Sequence, residues 1–287
     1  MFRITLIILL CFSVFTAPAF SAPDTEAGTG LNEIRVPEWE FSLATGYGVL
    51  ENPIAGKQDG ETYLLPSFSY YGKRFFLSNL PAVYTLLETD SFYLDLVARP
   101  NEDGLYFLLD KHSEATGGLL SNFLTQLTAP DPADMERQVS IVAGPSVTLV
   151  SDWVDVSFSW FHDISDVHHG SETHLSFDKQ YPLLGGAVGF GIGAVQKDAD
   201  LVEYYYHFTE QEADVFYSRY ISKFPPADTT DQYARLHFSY PLSKHLELRL
   251  AARYNRFDLD GRNPRFIETP ETLSWFAGLQ YRIGSGG

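Results

Sequence analysis

Histidine and carboxylate side chains concentrate in one short stretch of the sequence. The stretch contains His162, Asp163, Asp166, His168, His169, Glu172 and His174. Imidazole nitrogens and carboxylate oxygens together are ligands that transition metals accept. The spacing matches no defined zinc motif, and no two histidines are four residues apart as a helical site would require. A hydrated loop is rich in the same residue types, so we expect no metal and no cofactor here.

Basic side chains form a second cluster near the end of the chain. Its members, on three successive predicted strands, are Arg235, Glu247, Arg249, Arg253 and Arg282, with His237 nearby. If they line a water-filled interior, the strip would favour anionic solutes. The alternative is that they pair with carboxylates such as Glu40 and Asp155 and fill a narrow interior. The second alternative is favoured, because interiors of modest barrels are often filled by their own side chains.

Three consecutive tyrosines open the long connection 197–231. Tyr204, Tyr205 and Tyr206 are followed by the acidic residues Glu210 and Glu212. Tyrosine-rich surfaces are common in recognition, because a rigid ring gives contact area at small entropic cost. The segment can therefore be a recognition loop or a lid with a helical turn. A loop that folds back as a plug fits the sequence equally well.

Catalytic and nucleic-acid-binding signals are absent from the sequence. No Gly-x-Ser-x-Gly, His-Glu-x-x-His or P-loop pattern occurs, so we expect no enzyme and no catalytic residues. The formal charge is -17, which argues against a nucleic-acid partner because phosphate binding needs clustered Lys and Arg. The single cysteine, Cys11, excludes a disulfide scaffold.

The first 22 residues have the pattern of a secretory signal. Arg3 precedes the apolar run 4–15, and Ala19-Phe20-Ser21 resembles a cleavage site. The run is shorter than the roughly 20 residues of a membrane-spanning helix. We therefore expect residues 1–22 to be cleaved and residues 23–38 to form an N-terminal periplasmic segment.

Most of the remaining chain alternates apolar and polar residues with a period of two. In 274–283, the residues Trp275, Ala277, Leu279, Tyr281 and Ile283 share one face, and mainly polar or small residues share the other. Segments 153–162, 233–240 and 246–254 repeat the pattern. A secreted β-sandwich would alternate in the same way, so the connections between strands must decide.

The connections favour an all-β, antiparallel, up-and-down transmembrane barrel over residues 39–283, with a tail at 284–287. We predict about twelve strands, near 39–50, 62–71, 74–80, 82–88, 92–99, 137–150, 153–162, 172–181, 184–196, 232–240, 245–257 and 272–283. Every second connection is short, as periplasmic turns are, and the others are mostly long and polar, as extracellular loops are. The even number of strands places both ends of the barrel on the periplasmic side.

Several segments resemble the MipA/OmpV family of outer-membrane proteins. The opening runs 39–49 (WEFSLATGYGV) and 64–76 (LLPSFSYYGKRFF) are similar to its first hairpins. The run EYYY at 203–206 with EQEA at 210–213 looks like its Tyr-Tyr plus Ala-rich loop. The ending, RYNRF at 253–257 and GLQYR at 278–282, is similar to its last two strands. The chain departs from the family at Ile283, where an aromatic residue is usual, and in its longer insertion 100–136.

The resemblance implies a barrel in the outer membrane of a Gram-negative bacterium, in contact with lipid and lipopolysaccharide. It also implies a non-catalytic scaffold that brings a murein lytic transglycosylase and a murein synthase together. Other members of the family are linked to antibiotic permeability or adhesion. Two alternatives therefore stay open: a small-solute channel or ligand-binding barrel, and a surface recognition protein that uses the acidic loops.

Overall fold

The computed structural model describes residues 38–108, 137–208 and 225–286. These ranges contain twelve β-strands. The strands are β1 (Glu38–Leu50), β2 (Gly60–Tyr71), β3 (Phe75–Ser78), β4 (Ala82–Thr89), β5 (Phe92–Pro100), β6 (Ile141–Leu149), β7 (Asp155–Asp163), β8 (Ser171–Leu183), β9 (Gly186–Lys197), β10 (Thr229–Pro241), β11 (Leu246–Arg256) and β12 (Glu271–Gly286).

The strands form one closed antiparallel barrel in which each strand pairs with its neighbours in sequence. β1 and β12 close the barrel, with Gly46 opposite Gly278. A Cβ atom on Gly46 would lie 2.2 Å from the carbonyl oxygen of Ala277, so the close approach of the two strands requires glycine. The predicted fold class is confirmed. Within the described residues, no helix is long and apolar enough to cross a bilayer.

Side chains alternate between an exposed apolar outer face and a polar inner face. In β12, Trp275 and Leu279 are exposed on the outside while Ser274 and Phe276 are buried inside. Other strands repeat the exposed apolar face with Phe41, Phe68, Leu96, Phe158, Phe190, Ile192, Leu236 and Leu250. Aliphatic and aromatic side chains on the outside, with serines, glycines and charges inside, are typical of a membrane barrel.

The two ends of the barrel differ in the length of their connections. At the turn end, short segments join β2 to β3, β4 to β5, β6 to β7, β8 to β9 and β10 to β11. At the loop end the connections are longer, except the segment 79–81 between β3 and β4. The predicted alternation of short and long connections is confirmed, including its one exception.

Several strand boundaries differ from the predicted ones by a few residues, and three of the differences change a boundary of the barrel. β6 begins at Ile141 rather than at residue 137, because residues 137–140 pack beneath a loop-end helix instead. β3 has only four residues. β12 continues to Gly286, which pairs with Trp39, so the predicted tail 284–287 begins as strand.

The described ranges include two short helices at the loop end. Helix α1 (Glu102–Phe107) is capped by Asn101, whose side-chain oxygen accepts from the backbone N–H groups of Asp103 and Gly104. Helix α2 (Ala199–Tyr206) is capped by Asp198, which accepts from the N–H of Leu201. Asn and Asp are favoured at this position because they satisfy free N–H groups of the first turn.

Candidate functional site

The helices α1 and α2 form a lid with an apolar core across the loop end of the lumen. The core combines residues of both helices with residues of the loops 51–59 and 257–270. Its buried members include Ile54, Leu105, Phe107, Val139, Leu201, Val202, Tyr205, Tyr206, Phe257 and Phe266. Burial of this many apolar side chains stabilises the lid as a folded unit rather than a mobile loop.

Hydrogen bonds attach the lid to the segment before β6. The hydroxyl of Tyr205 donates to the carbonyl oxygen of Gln138 at 2.9 Å and accepts from the N–H of Ser140 at 3.3 Å. The Arg137 guanidinium donates to the carbonyl oxygens of Tyr204 and His207 at 2.6 and 2.9 Å. These bonds satisfy carbonyl groups near the C-terminal end of α2, which a helix leaves without intrahelical partners.

A first group of ion pairs lies directly beneath the lid. Arg99 of β5 contacts Glu172 of β8 at 2.8 Å and Glu102 of α1 at 3.1 Å. Arg253 of β11 contacts the other oxygen of Glu102 at 3.1 Å, and His174 lies 3.0 Å from Glu172. Glu102 therefore bridges two arginines from well-separated strands, which fastens helix α1 across the barrel.

Burial alone would raise the pKa of Glu102. The guanidinium groups of Arg253 and Arg99 outweigh that effect and lower the pKa to about 2. The carboxylate is therefore ionised at neutral pH, as a bridge between two arginines requires.

A second group of ion pairs lies beside the first. Lys197 of β9 contacts Asp103 of α1 at 2.6 Å and Asp231 of β10 at 2.7 Å. Both oxygens of Asp231 accept from Arg262 of the last loop, at 2.6 and 2.7 Å. The hydroxyl of Tyr206 donates to Asp103, and the Arg262 guanidinium lies over the Tyr206 ring at 4.4 Å.

Charges in the two groups balance, since four cationic side chains face four carboxylates. The cations are Arg99, Lys197, Arg253 and Arg262, and the carboxylates are Glu102, Asp103, Glu172 and Asp231. A cavity of about 30 Å³ lies among them. That volume holds one or two water molecules and no larger solute. In the described residues, paired and buried side chains therefore fill this part of the loop-end lumen.

The turn-end half of the lumen also has paired charges, but they are more exposed. Arg249 lies 3.2 Å from Glu247, and their side chains are 39% and 31% exposed. Arg282 lies 2.9 Å from Glu40, with exposures of 31% and 28%. Exposed ion pairs of this kind are hydrated and stabilise little.

The structure places the five predicted lumen residues on the inner face but divides them between the two halves. Arg253 belongs to the buried groups beneath the lid, while Arg282, Arg249 and Glu247 lie towards the turn end. Arg235 lies between them and contacts Asp178 at 2.6 Å. Asp155, expected to pair with an arginine, instead lies 3.2 Å from Lys179. The turn-end lumen is therefore polar and hydrated, although its arginines have acidic partners.

The loop 164–170 is organised by one carboxylate. Asp163 accepts from the backbone N–H groups of Ser165, Val167, His168 and His169, at 2.7 to 3.1 Å. These bonds fix the loop that joins β7 to β8. The acidic side chain thus has a structural role as a backbone acceptor.

The histidines near this loop have separate environments. His168 is buried, which lowers its pKa; its Nδ1 accepts from the N–H of Gly170, so Nε2 carries the proton that reaches Ser140. His162 is exposed on the outer face beside Trp160, and His174 contacts Glu172. Among the described residues, no group of three His, Cys, Asp or Glu side chains is placed to hold a metal ion.

The predicted recognition residues fall in different places. Tyr205 and Tyr206 are fully buried in the lid, and burial raises the pKa of both hydroxyls. Tyr204 is partly buried against the same core. Glu210 and Glu212 lie outside the described residues, as do residues 1–37 and 109–136. A recognition role for this segment stays a prediction.

The turn end has a feature that the sequence analysis missed. Trp153, Leu184 and Leu242 lie in three consecutive turns and are 83%, 82% and 50% exposed. The alternation predicts a strand from residue 153, but β7 begins at Asp155 and Trp153 lies in the turn. Leu184 has a φ of 54° and Gly185 a φ of 84°. Both values are typical of a tight hairpin turn that favours Asn-Gly.

The closed barrel with an apolar outer face defines the class of a β-barrel membrane protein. A family model described as "MltA-interacting protein MipA" matches residues 17–283, and the chain belongs to this family. It is 21% identical over 253 residues to "Putative outer membrane protein YiaT" of Escherichia coli K12. The match covers 85% of this chain and 91% of that protein.

Solved structures of outer-membrane proteins have a lower sequence identity to this chain. An outer membrane channel from Pseudomonas putida F1 is 9% identical with a TM-score of 0.37, over 90% of this chain and 100% of that one. A FadL homologue of Pseudomonas aeruginosa is 9% identical with a TM-score of 0.33, over 86% of each chain. The protein is located in the outer membrane and contacts its lipids. Its turn end faces the periplasm and its loop end the outside.

Proposed function

We propose that the protein is a non-catalytic platform that binds murein enzymes at its periplasmic turns. The observation that supports this proposal is the set of exposed apolar side chains at Trp153, Leu184 and Leu242. Large apolar side chains in exposed turns gain little from packing within the barrel itself. They can act as the few anchors that carry most of the energy of a protein interface.

Leu184 gives this proposal its sharpest support. A left-handed φ at a residue other than Gly, Asn or Asp costs roughly 1 to 2 kcal/mol. Leu184 has this conformation although its side chain is 82% exposed. Packing of the side chain therefore stabilises the turn too little to offset the backbone cost. A residue that is unfavourable for the turn and unused by the core is a candidate for contact with a partner.

The family description suggests the class of partner. The proteins grouped as MltA-interacting give precedent for a murein lytic transglycosylase, and the sequence resemblance adds a murein synthase. Short turns offer a small area, so we propose a transient contact with few anchors rather than a large permanent interface. In this proposal residues 1–22 are a cleaved signal, 23–38 are periplasmic, and lipopolysaccharide contacts the outer loops.

The experiment places a photo-crosslinking amino acid at Leu184 in living cells and identifies the adducts by mass spectrometry. The matched control position is Leu259, which is 46% exposed in the loop 257–270 at the opposite end. We expect murein hydrolase or synthase adducts from position 184 and none from 259. Adducts to lipid alone, or the same adducts from both positions, would contradict the proposal.

A substitution tests the same contact without weakening the fold. Asn is favoured at the first central position of this turn, so Leu184→Asn removes the apolar group while it relaxes the backbone. We expect Leu184→Asn to reduce co-purification of the murein enzymes and to leave the amount of folded barrel unchanged. Unchanged co-purification would show that Leu184 does not contribute to the contact with the murein enzymes.

The polar turn-end lumen supports a second candidate, a small-solute channel or ligand-binding barrel. Its partly exposed charges at Arg249 and Arg282 face a hydrated space. The lid and the ion pairs beneath it would then have to open. Ionic conductance of the purified protein in planar bilayers, above that of a protein-free control, would favour the channel over the platform.

A further inference from the structure

Strand β3 is too short to complete the barrel wall beside β2. It has four residues, and its pairing with β2 covers only Ser69, Tyr70 and Tyr71. Among the described residues, the part of β2 from Gly60 to Ser67 has β1 as its only neighbouring strand. Within the described part of the chain, the wall therefore has a gap, bounded by this edge of β2 and by the β3–β4 turn at Asn79, Leu80 and Pro81.

The gap lies at the depth of the bilayer rather than above it. On the outer face, Tyr63 and Tyr47 have ring centroids 5.4 Å apart, and Trp275 lies 5.4 Å from Tyr47. Such aromatic clusters mark the interface in membrane barrels. The residues from Leu64 to Phe68 follow Tyr63 towards the turn end, so their free edge meets hydrocarbon.

The free edge has few backbone groups left for another strand. The N–H and the carbonyl of Phe68 bond the side chain and the N–H of Asn79. Pro66 has no N–H group. The N–H and the carbonyl of Leu64 both contact the hydroxyl of Thr62, at 3.4 and 3.1 Å. A partner strand would therefore find few groups with which to pair.

Apolar side chains lie at the gap on both faces of the wall. Phe68 is 39% exposed on the outside, and Leu65 is buried on the inside within the apolar core of the lid. Leu80 of the β3–β4 turn packs against the same core. We propose that the gap binds an acyl chain of a membrane lipid, which covers the β2 edge and lies against Pro66 and Leu80.

The chemistry of the β2 edge favours an acyl chain over a second copy of the protein as its occupant. An unpaired strand edge in hydrocarbon is unfavourable because water cannot satisfy its polar groups. The backbone groups of Leu64 and Phe68 already have hydrogen-bond partners within the protein, and Pro66 has no N–H group. Most of the polar groups at this edge are therefore already satisfied or absent. An apolar chain with no hydrogen-bonding capacity suits such an edge, whereas a strand does not. The inference is independent of the proposed periplasmic platform.

The test uses the full-length protein in phosphatidylcholine vesicles that contain a phosphatidylcholine with a diazirine in one acyl chain. After illumination, peptide mapping locates the adducts. The control positions are Leu236 and Leu250, which face lipid from the fully paired wall of β10 and β11. We expect about fivefold more adduct at residues 64–68 and 79–82, equivalent to about 1 kcal/mol of preferential contact.

Three results would overturn the inference. Equal labelling of the gap and of the control positions would show ordinary lipid contact. Labelling by a diazirine alkane but not by the lipid would indicate a small apolar solute. Disulfide-linked dimers of Pro66→Cys in the mature protein, which lacks Cys11 once residues 1–22 are cleaved, would indicate a second copy at the edge.

Discussion

At the loop end of the lumen, the side chains of Lys197 and Arg262 are 7% and 0% exposed, whereas at the turn end those of Arg249 and Arg282 are 39% and 31% exposed. Both ends pair cations with carboxylates. Only the loop end adds a lid that excludes water, so its pairs are costly to break. The same residue types thus close the barrel at one end and line a hydrated space at the other.

The largest effect is expected from Lys197→Met. This change leaves Asp103 and Asp231 buried with one cation fewer, and uncompensated buried charge costs roughly 3 to 5 kcal/mol. The matched change Arg249→Met at the turn end should cost below about 1 kcal/mol. Urea unfolding in lipid vesicles, followed by the gel shift between folded and boiled barrel, measures both. Equal losses would show that the two ends do not differ.

The next effect is a pH dependence due to Glu102. Its pKa is about 2 in the folded protein against an ordinary value of 4.5, so its stabilisation is complete above about pH 4.5 and is lost as the pH falls towards 2. At 1.36 kcal/mol per pKa unit the loss is at most about 3 kcal/mol. Unfolding measured at several pH values should show a smaller decline in Glu102→Gln. An identical decline in both proteins would exclude this origin.

A chemical probe can compare the two ends directly. Ser239 pairs with Arg249 near the turn end, and Ser274 is buried beneath the loop end. A cysteine at Ser239 should react with a water-soluble maleimide at least about tenfold faster than one at Ser274, as expected if the lid must open at a cost of about 1.4 kcal/mol. Similar rates would mean that the lid does not exclude water.

The smallest effect is expected from the stability of Leu184→Asn. Relief of the left-handed leucine should stabilise the barrel by about 0.5 to 1 kcal/mol. The control is Leu242→Asn, which removes a similar exposed group where no positive φ has to be relieved. Urea unfolding of both variants gives the comparison. A destabilised Leu184→Asn would mean that Leu184 packs against the barrel and is not free for a partner.

Much of the wall could be predicted from the sequence. The alternation in 274–283 and 246–254 fixes which side chains face lipid, because successive residues of a strand point to opposite faces. Short turns such as Ser151-Asp152 fixed the order of the hairpins. The shortness of β3 could not be predicted, because four residues carry too little pattern to show where pairing stops.

The candidate site was only partly predictable. The inward direction of Arg253 follows from alternation, but its contact with Glu102 joins residues 151 positions apart in the chain. Lys197 and Asp103, which are 94 positions apart, were missed for the same reason. An inward direction of Lys197 could have been predicted, because the alternation of the last strand residues places its side chain on the lumen side at the end of β9. Its partners are set by how the barrel closes.

The sequence by itself determined the strands, their order, the lipid-facing side chains and the family, because these depend on residue type and on spacing along the chain. Only the tertiary structure decided that a lid lies across one end, which charges are paired and buried, and that, among the described residues, β3 pairs with only the last part of β2. Those features depend on contacts between distant segments. Such contacts exclude water, and the exclusion of water determines how much free energy is lost when a buried charge loses its partner.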